Sequence, residues 1–351
     1  MTSMLRAICL CLLLLCAAPQ ARAGTAAQQQ TNDATLLASA QLSPRQEHMR
    51  TAETLRAQCD PHSIVEQAGW LPLATRLIRD GFDAEHIIML YARMGESYSP
   101  APMARKISAL YRIKFPPPAP AKSKDTGKKA PAPPPVYPGV VTSANVEKAA
   151  AFMRQHSAPL QAARQRFGIP PEVATGLLFV ETRLGAYLGS AAALHNLSSL
   201  AATNSTAIMA GSLGSIDLSK ADRRTWADKR TREKSDWAYE ELKALLSWSQ
   251  QHNLDPVAMP GSVYGAVGLC QFMPSNIPRF GADGDGNGKV NLFSVPDAVF
   301  SLSRYLSEHG WKEGISRKKQ QKVLMHYNKS TRYANTILAL ADELRKHAQD
   351  R

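Results

Sequence analysis

Residues 116–138, PPPAPAKSKDTGKKAPAPPPVYP, interrupt this 351-residue chain with a proline density that neither a helix nor a central strand tolerates. Proline locks φ and has no amide proton, so such a run adopts extended, polyproline-like backbone, and it carries too few apolar residues to form a core. The stretch reads as a linker or exposed insertion between two helically patterned segments. Ahead of it, residues 43–115 place apolar side chains at helical spacing, as in Leu73, Leu77, Ile78 and then Ile87, Ile88, Leu90, Tyr91, which predicts several short helices. Behind it, residues 139–348 resume helical patterning, broken by a Gly/Asp-rich stretch at 281–291. With no internal repeat and no sustained strand alternation, the expected class is predominantly α, of the α+β kind with a small sheet.

The N-terminus predicts export. Arg6 precedes an apolar stretch at residues 8–16, and Ala21-Arg22-Ala23 has the small-x-small form of a cleavage site, so residues 1–23 read as a signal peptide and 24–42 as a flexible leader. The apolar stretch falls short of the roughly 20 residues that span a bilayer. A lipid-modified Cys16 ranks second, because Leu14 and Leu15 are bulky where small residues are expected. A periplasmic location follows, with membrane attachment as the alternative. The two cysteines beyond the signal, Cys59 and Cys270, are then free to bridge, although their spacing does not establish it.

Charge and motif content narrow the function. The excess of 42 Lys+Arg over 29 Asp+Glu, a net +13, favours partners bearing phosphate or carboxylate. The basic residues are dispersed and no nucleic-acid-binding motif occurs, so nucleic acid is not the expected partner. Cysteines and histidines lack zinc-ligand spacing, and neither H-E-x-x-H nor G-x-S-x-G is present, which removes metalloprotease and serine-hydrolase readings.

Three stretches carry candidate chemistry. In LLFVETRLG, residues 177–185, Pro170-Pro171 starts a helix, Val173, Leu177, Leu178, Glu181 and Leu184 follow at helical spacing, and Gly185 supplies a stop. Glu181 thus lies on an apolar face, where lost hydration would raise its pKa and suit it to general acid catalysis. The plain alternative is a helix-end Glu, exposed or paired with Arg183. In GSVYGAVGLCQFMPSN, residues 261–276, glycines bring backbone close to a ligand, and Gln271 offers an amide that both donates and accepts. Its plain alternative is a glycine-rich turn in which Ser262 and Gln271 serve as caps. In HYNKSTRYANTILALA, residues 326–341, Tyr327, Asn328 and Tyr333 precede an amphipathic helix, or are simply core tyrosines beside a cap.

A fourth stretch, DGDGNGKVNLFSVPD at 283–297, has the opening of an EF-hand loop: Asp283, Asp285 and Asn287 at positions one, three and five, Gly288 at six, and the Lys289 carbonyl at seven. Ser294 stands where the bidentate Glu belongs. A phosphate loop is excluded, because Val290 follows Gly-Lys where Ser or Thr is needed. An ion-free surface turn remains the alternative.

Taken in order, FGIPPEVATGLLFVETRLGAYLG, GSVYGAVGLCQFMPSN, DGDGNGKVNLFSVPDAVFSLSRYLSEHGW and YNKSTRYANTILALA resemble the motifs of the lytic murein transglycosylase B family. The likeness is firm over residues 140–345 and looser over 43–115. It implies a lysozyme-like catalytic core, with a helical N-terminal part and a small calcium-loop subdomain. It also implies cleavage of the β-1,4 bond between N-acetylmuramic acid and N-acetylglucosamine without water, leaving a 1,6-anhydro ring. Glu181 would be the single acid and base, and Ser262, Gln271, Tyr327, Asn328 and Tyr333 would line the sugar subsites. Asp297 would complete a structural Ca²⁺ site with Asp283, Asp285, Asn287 and Lys289; no organic cofactor is expected. The implied partners are peptidoglycan glycan strands, with other cell-wall enzymes as further candidates. Leu184, Tyr264, Val267, Cys270 and Asn276 depart from the family's usual residues and bear on substrate preference. Two other classes stay open: a hydrolytic muramidase, which needs a second carboxylate, and a non-catalytic wall-binding scaffold.

Overall fold

The computed structural model describes residues 60–116, 135–214 and 216–349. The export signal, the leader, Cys59 and most of the proline-rich stretch lie outside the described residues. Among the described residues four helices precede that stretch: α1 (Pro61–Gln67), α2 (Leu71–Arg79), α3 (Ala84–Met94) and α4 (Ala101–Lys114). Beyond it come α5 (Ser143–Gln155), α6 (Ser157–Phe167), α7 (Pro171–Thr182), α8 (Ala193–Ala202), α9 (Ala221–His252) and α10 (Ile277–Phe280). The last three are α11 (Val295–Glu308), α12 (Arg317–Tyr327) and α13 (Thr331–Gln349). No helix of the described residues is long and apolar enough to cross a membrane.

Local chemistry starts these helices. Asp83 caps α3 by accepting the amide of His86, and Thr142 caps α5 by accepting that of Asn145, each satisfying an orphan donor of a first turn. Pro171 opens α7 where its missing amide proton costs nothing. The left-handed Gly95 and Gly168 follow the last residues of α3 and α6.

Helix α7 is buried almost all round. Val173, Ala174, Leu177, Leu178 and Phe179 are covered on successive faces, by α13 together with α5, α6 and α11. Gly176 lets α13 approach this closely: a Cβ there would stand 3.0 Å from the carbonyl oxygen of Ile337. The remnant of the proline-rich stretch docks on the same helix, as the Tyr137 amide donates to Thr336 Oγ1 at 2.9 Å.

The N-terminal helices share the main hydrophobic cluster with α7 to α9 rather than standing apart. Trp70 and Tyr91 are fully buried there, and the Tyr91 hydroxyl meets Ser198 Oγ of α8 at 2.8 Å. The sheet is a single antiparallel pair among the described residues, β1 (Ala191–Ala192) against β2 (Pro260–Gly261), with Ala191 opposite Gly261. It joins the loop after α7 to the start of the glycine-rich segment. Gly189 is required at this junction: its φ is +118°, and a Cβ would lie 1.9 Å from the Gly261 carbonyl oxygen.

Candidate active site

Glu181 is the next-to-last residue of α7, half-buried on a helix whose other faces are sealed. The backbone then turns away at once. Arg183 and Leu184 take left-handed φ of 50° and 63°, followed by Gly185 at 92°, a conformation that costs about 1 kcal/mol or more for each L-residue. Thr182 holds the turn together. Its buried hydroxyl faces the Leu269 carbonyl at 3.0 Å and the Leu178 carbonyl at 3.3 Å, and accepts the Gly185 amide at 3.0 Å. One side chain therefore ties the end of α7 to the glycine-rich segment beside Glu181.

That segment folds back on itself. Val267 bridges both Gly261 and Phe272, and the intervening tight turn closes through the Gln271 amide donating to the Gly268 carbonyl at 3.1 Å. Gln271 has φ +49°. Its side-chain Nε2 donates to the Gly268 carbonyl at 3.0 Å and lies 3.4 Å from the Leu188 carbonyl. Ser262 begins the segment. Its hydroxyl oxygen accepts the amides of Ala266 at 3.0 Å and Tyr264 at 3.3 Å, while its carbonyl accepts from Asn196 Nδ2 at 3.0 Å. In this arrangement the Ser262 hydroxyl caps the turn that opens the segment.

Two tyrosines close the opposite wall. The Tyr333 hydroxyl, on α13, donates to Glu181 Oε1 at 2.5 Å, and the Tyr327 hydroxyl, at the end of α12, donates to the Cys270 carbonyl at 2.5 Å. Their rings are nearly parallel, 14° apart in plane with centroids separated by 6.5 Å. Burial pushes the Tyr327 hydroxyl well above its ordinary pKa, and its acidic neighbours Cys270 and Glu181 add to the rise, so it remains a donor. Burial likewise drives the Cys270 thiol up to about 12, with the charge of Glu181 adding to the effect. Cys270 is thus a neutral packing residue rather than a nucleophile, and it forms no disulfide among the described residues. Asn328 follows Tyr327 as the C-cap of α12, its amide donating to the Leu324 carbonyl at 3.2 Å.

Glu181, Tyr333, Tyr327 and Gln271 are accordingly brought to one place, with Cys270 as the backbone link. Ser262 lies at the far end of the glycine-rich segment. Two supporting residues carry no role in the sequence reading. Thr182 was visible only as part of a motif. Glu241 is 4% exposed on α9, and its carboxylate accepts both the amide and the hydroxyl of Ser275, each at 2.8 Å. Burial raises its pKa, and the Ser275 and Trp237 hydrogen bonds counter that rise. An acidic residue between Ala238, Leu242 and Leu245 on an apolar stripe was the available signal.

The Asp/Gly-rich loop brings three of its predicted ligands together. Carboxylate oxygens of Asp283, Asp285 and Asp297 all lie within 4.8 Å of one another. Asp283 accepts the amides of Gly286 at 2.6 Å and Gly288 at 2.7 Å, and the Gly288 bond leads the causes that lower its pKa. Asp297 is fully buried, accepting the amides of Gly284 at 2.8 Å and Asn291 at 2.7 Å. Its pKa is raised by burial first, and the charges of Asp285 and Asp283 add to this. Crowded acceptors that repel one another fit an oxygen-coordinated cation such as Ca²⁺. Asn287 Oδ1 accepts the Lys289 amide at 2.8 Å, which keeps the predicted fifth and seventh positions in the same tight loop. The loop is not peripheral to the site. The Leu292 carbonyl accepts the Leu269 amide at 2.9 Å, next to Cys270, and Trp248 Nε1 donates to the Val290 carbonyl at 2.8 Å.

Known proteins share both sequence and fold with this chain. The sequence model of the family described as the transglycosylase SLT domain matches residues 108–320, more than half of the chain. The membrane-bound lytic murein transglycosylase B of Escherichia coli (strain K12) is 29% identical over 174 residues, covering 50% of this chain and 41% of that protein. The chain thus aligns with about two fifths of the length of this curated relative. The soluble lytic transglycosylase SltB1 of Pseudomonas aeruginosa superposes with a TM-score of 0.56 at 21% identity, covering 79% of this chain and 98% of that one. The Escherichia coli lytic transglycosylase Slt35, solved in complex with calcium, gives a TM-score of 0.55 at 19% identity, covering 80% and 93%. These two structures share the fold, and the match of the sequence model over most of the described core shows that the chain belongs to the transglycosylase SLT domain family.

Proposed function

We propose that this protein is a lytic transglycosylase that cleaves the β-1,4 bond between N-acetylmuramic acid and N-acetylglucosamine in peptidoglycan, with Glu181 as its single acid and base. The observation that carries the reading is the Glu181–Tyr333 hydrogen bond at the end of a sealed helix, facing a glycine-rich segment. Tyr333 engages Oε1 and orients the carboxyl, and the working proton is carried at Oε2. Glu181 delivers that proton to the glycosidic oxygen as the bond from C1 breaks, and the N-acetylglucosamine 4-hydroxyl leaves. The acetamido group of the muramic acid supports the cationic C1. Its own 6-hydroxyl then attacks C1, its proton returns to Glu181, and the 1,6-anhydro ring closes without water. A positioned acid of this kind contributes roughly 10²–10⁴ in rate.

Ser262, Gln271, Tyr327, Asn328 and Tyr333 would line the sugar subsites around Glu181, with Ser262 at the far end of the glycine-rich segment. A Ca²⁺ held by Asp283, Asp285 and Asp297, with Asn287 and Lys289 completing the set, would brace the loop that supports Leu269. Such an ion would supply charge neutralisation among these carboxylates, away from the reacting atoms. The net charge of +13 suits a carboxylate-bearing wall polymer, and action there requires the export predicted for residues 1–23. Mass spectrometry of digested sacculi tests the proposal. Anhydromuropeptides as the main products support it, and reducing ends would identify a hydrolase instead.

A further inference from the structure

Lys106 of α4 is a lysine with only 5% of its surface exposed, and its ammonium nitrogen lies 3.6 Å from the centroid of the Tyr264 ring and 4.8 Å from that of Trp237. Removing an ammonium from water is unfavourable unless something replaces the lost hydration. Two aromatic faces supply part of that replacement through their quadrupoles, and such pairs are strongest when desolvated. A Met side chain would fill similar space without the desolvation penalty. What the cation adds is direction, since it holds each ring by its face.

The three partners come from separate parts of the fold: Lys106 from α4, Trp237 from α9, and Tyr264 from the glycine-rich segment. Tyr264 sits inside the turn closed by the Gly265 amide donating to the Ser262 carbonyl at 2.9 Å. Its own amide points to Ser262 Oγ at 3.3 Å, beside that of Ala266 at 3.0 Å. Fixing the Tyr264 ring therefore fixes the backbone that places Ser262. Lys106 also precedes residues 108–320, the span matched by the family model. The anchor of this turn thus lies on α4, the last of the N-terminal helices, whose remaining residues run into that span.

We propose that Lys106 is a positioning residue that grips Tyr264, holds the turn at residues 262–265, and thereby sets affinity for the glycan without touching it. The glycan half of this statement rests on the function proposed above; the turn half does not. The test measures hydrogen exchange of the full chain together with binding of an alternating GlcNAc–MurNAc tetrasaccharide. Lys106→Met should speed exchange of the Tyr264, Gly265 and Ala266 amides by about tenfold while α13 stays protected. It should raise KM with kcat held within about twofold, and Lys106→Arg, which keeps the cation, should restore both. Tyr264→Leu should reproduce the local exchange should Lys106→Met fail to fold. Unchanged exchange in a folded variant, or acceleration spread evenly to α13, overturns the proposal. A wild-type protein that neither binds nor cleaves the tetrasaccharide overturns the glycan reading, and the exchange data then decide the role of Lys106 in the turn.

Discussion

The Tyr333 hydroxyl donates to Oε1 of Glu181 at 2.5 Å, joining α13 to the end of α7 across 152 residues of sequence. The bond supports an acid whose orientation is set before substrate arrives, and its two ends make separable predictions. Glu181→Gln should retain the fold and glycan binding while losing nearly all turnover, because an amide neither supplies nor recovers a proton. Release of anhydromuropeptides from sacculi measures it, and release at the wild-type rate would refute Glu181 as the acid.

Tyr333→Phe removes only the orienting bond. A kcat loss of about tenfold, equivalent to roughly 1.4 kcal/mol in the barrier, is expected with little change in KM. Steady-state kinetics on a soluble glycan check this; an effect confined to KM would make Tyr333 a binding residue instead.

Thr182→Val keeps the shape of the side chain but leaves the Leu269 carbonyl and the Gly185 amide without their hydroxyl partner. An unsatisfied buried group costs about 1–3 kcal/mol. Thermal unfolding should show a lower Tm, and activity should fall in parallel because the glycine-rich segment loses its tie to Glu181. Thr182→Ser should recover most of both.

Calcium should raise Tm through preferential binding to the folded state, with Asp283→Ala and Asp297→Ala each weakening the gain. The Asp297 contribution to the pH dependence has a sign of its own, opposite to that of Asp283, whose pKa is lowered. The folded-state pKa of Asp297 is raised, so in chelated protein its contribution favours folding at low pH. That contribution is lost as pH rises from the ordinary aspartate value of about 3.9 through the raised one. Calcium binds the deprotonated carboxylates and offsets this loss, so the calcium-induced rise in Tm should grow with pH across the same window. Calorimetry of chelator-treated protein, titrated at acidic and neutral pH, measures it; a melting temperature indifferent to calcium at both would remove the site.

Helical class, the apolar surroundings of Glu181 and the acidic spacing at residues 283–287 were all legible without coordinates. Each is a local property: side-chain periodicity, proline and glycine at helix ends, and carboxylates a few residues apart report on the backbone of their own segment. The burial of α7 on nearly all sides was less apparent, because an apolar run does not say how many neighbours will cover it. The pairing of Ala191 with Gly261 was invisible, being too short for strand alternation to register.

The same limit applies to the contacts that make the site specific. Tyr333 meets Glu181, Tyr327 meets the Cys270 carbonyl, Thr182 meets the Leu269 carbonyl, and Lys106 lies beneath Tyr264. In each case one partner is a backbone carbonyl or a side chain from a distant element. Such meetings depend on how helices pack and where the chain reverses, and residue types alone carry neither quantity. Even at Ser262, the amides of Tyr264 and Ala266 that meet its hydroxyl came into view only in the fold.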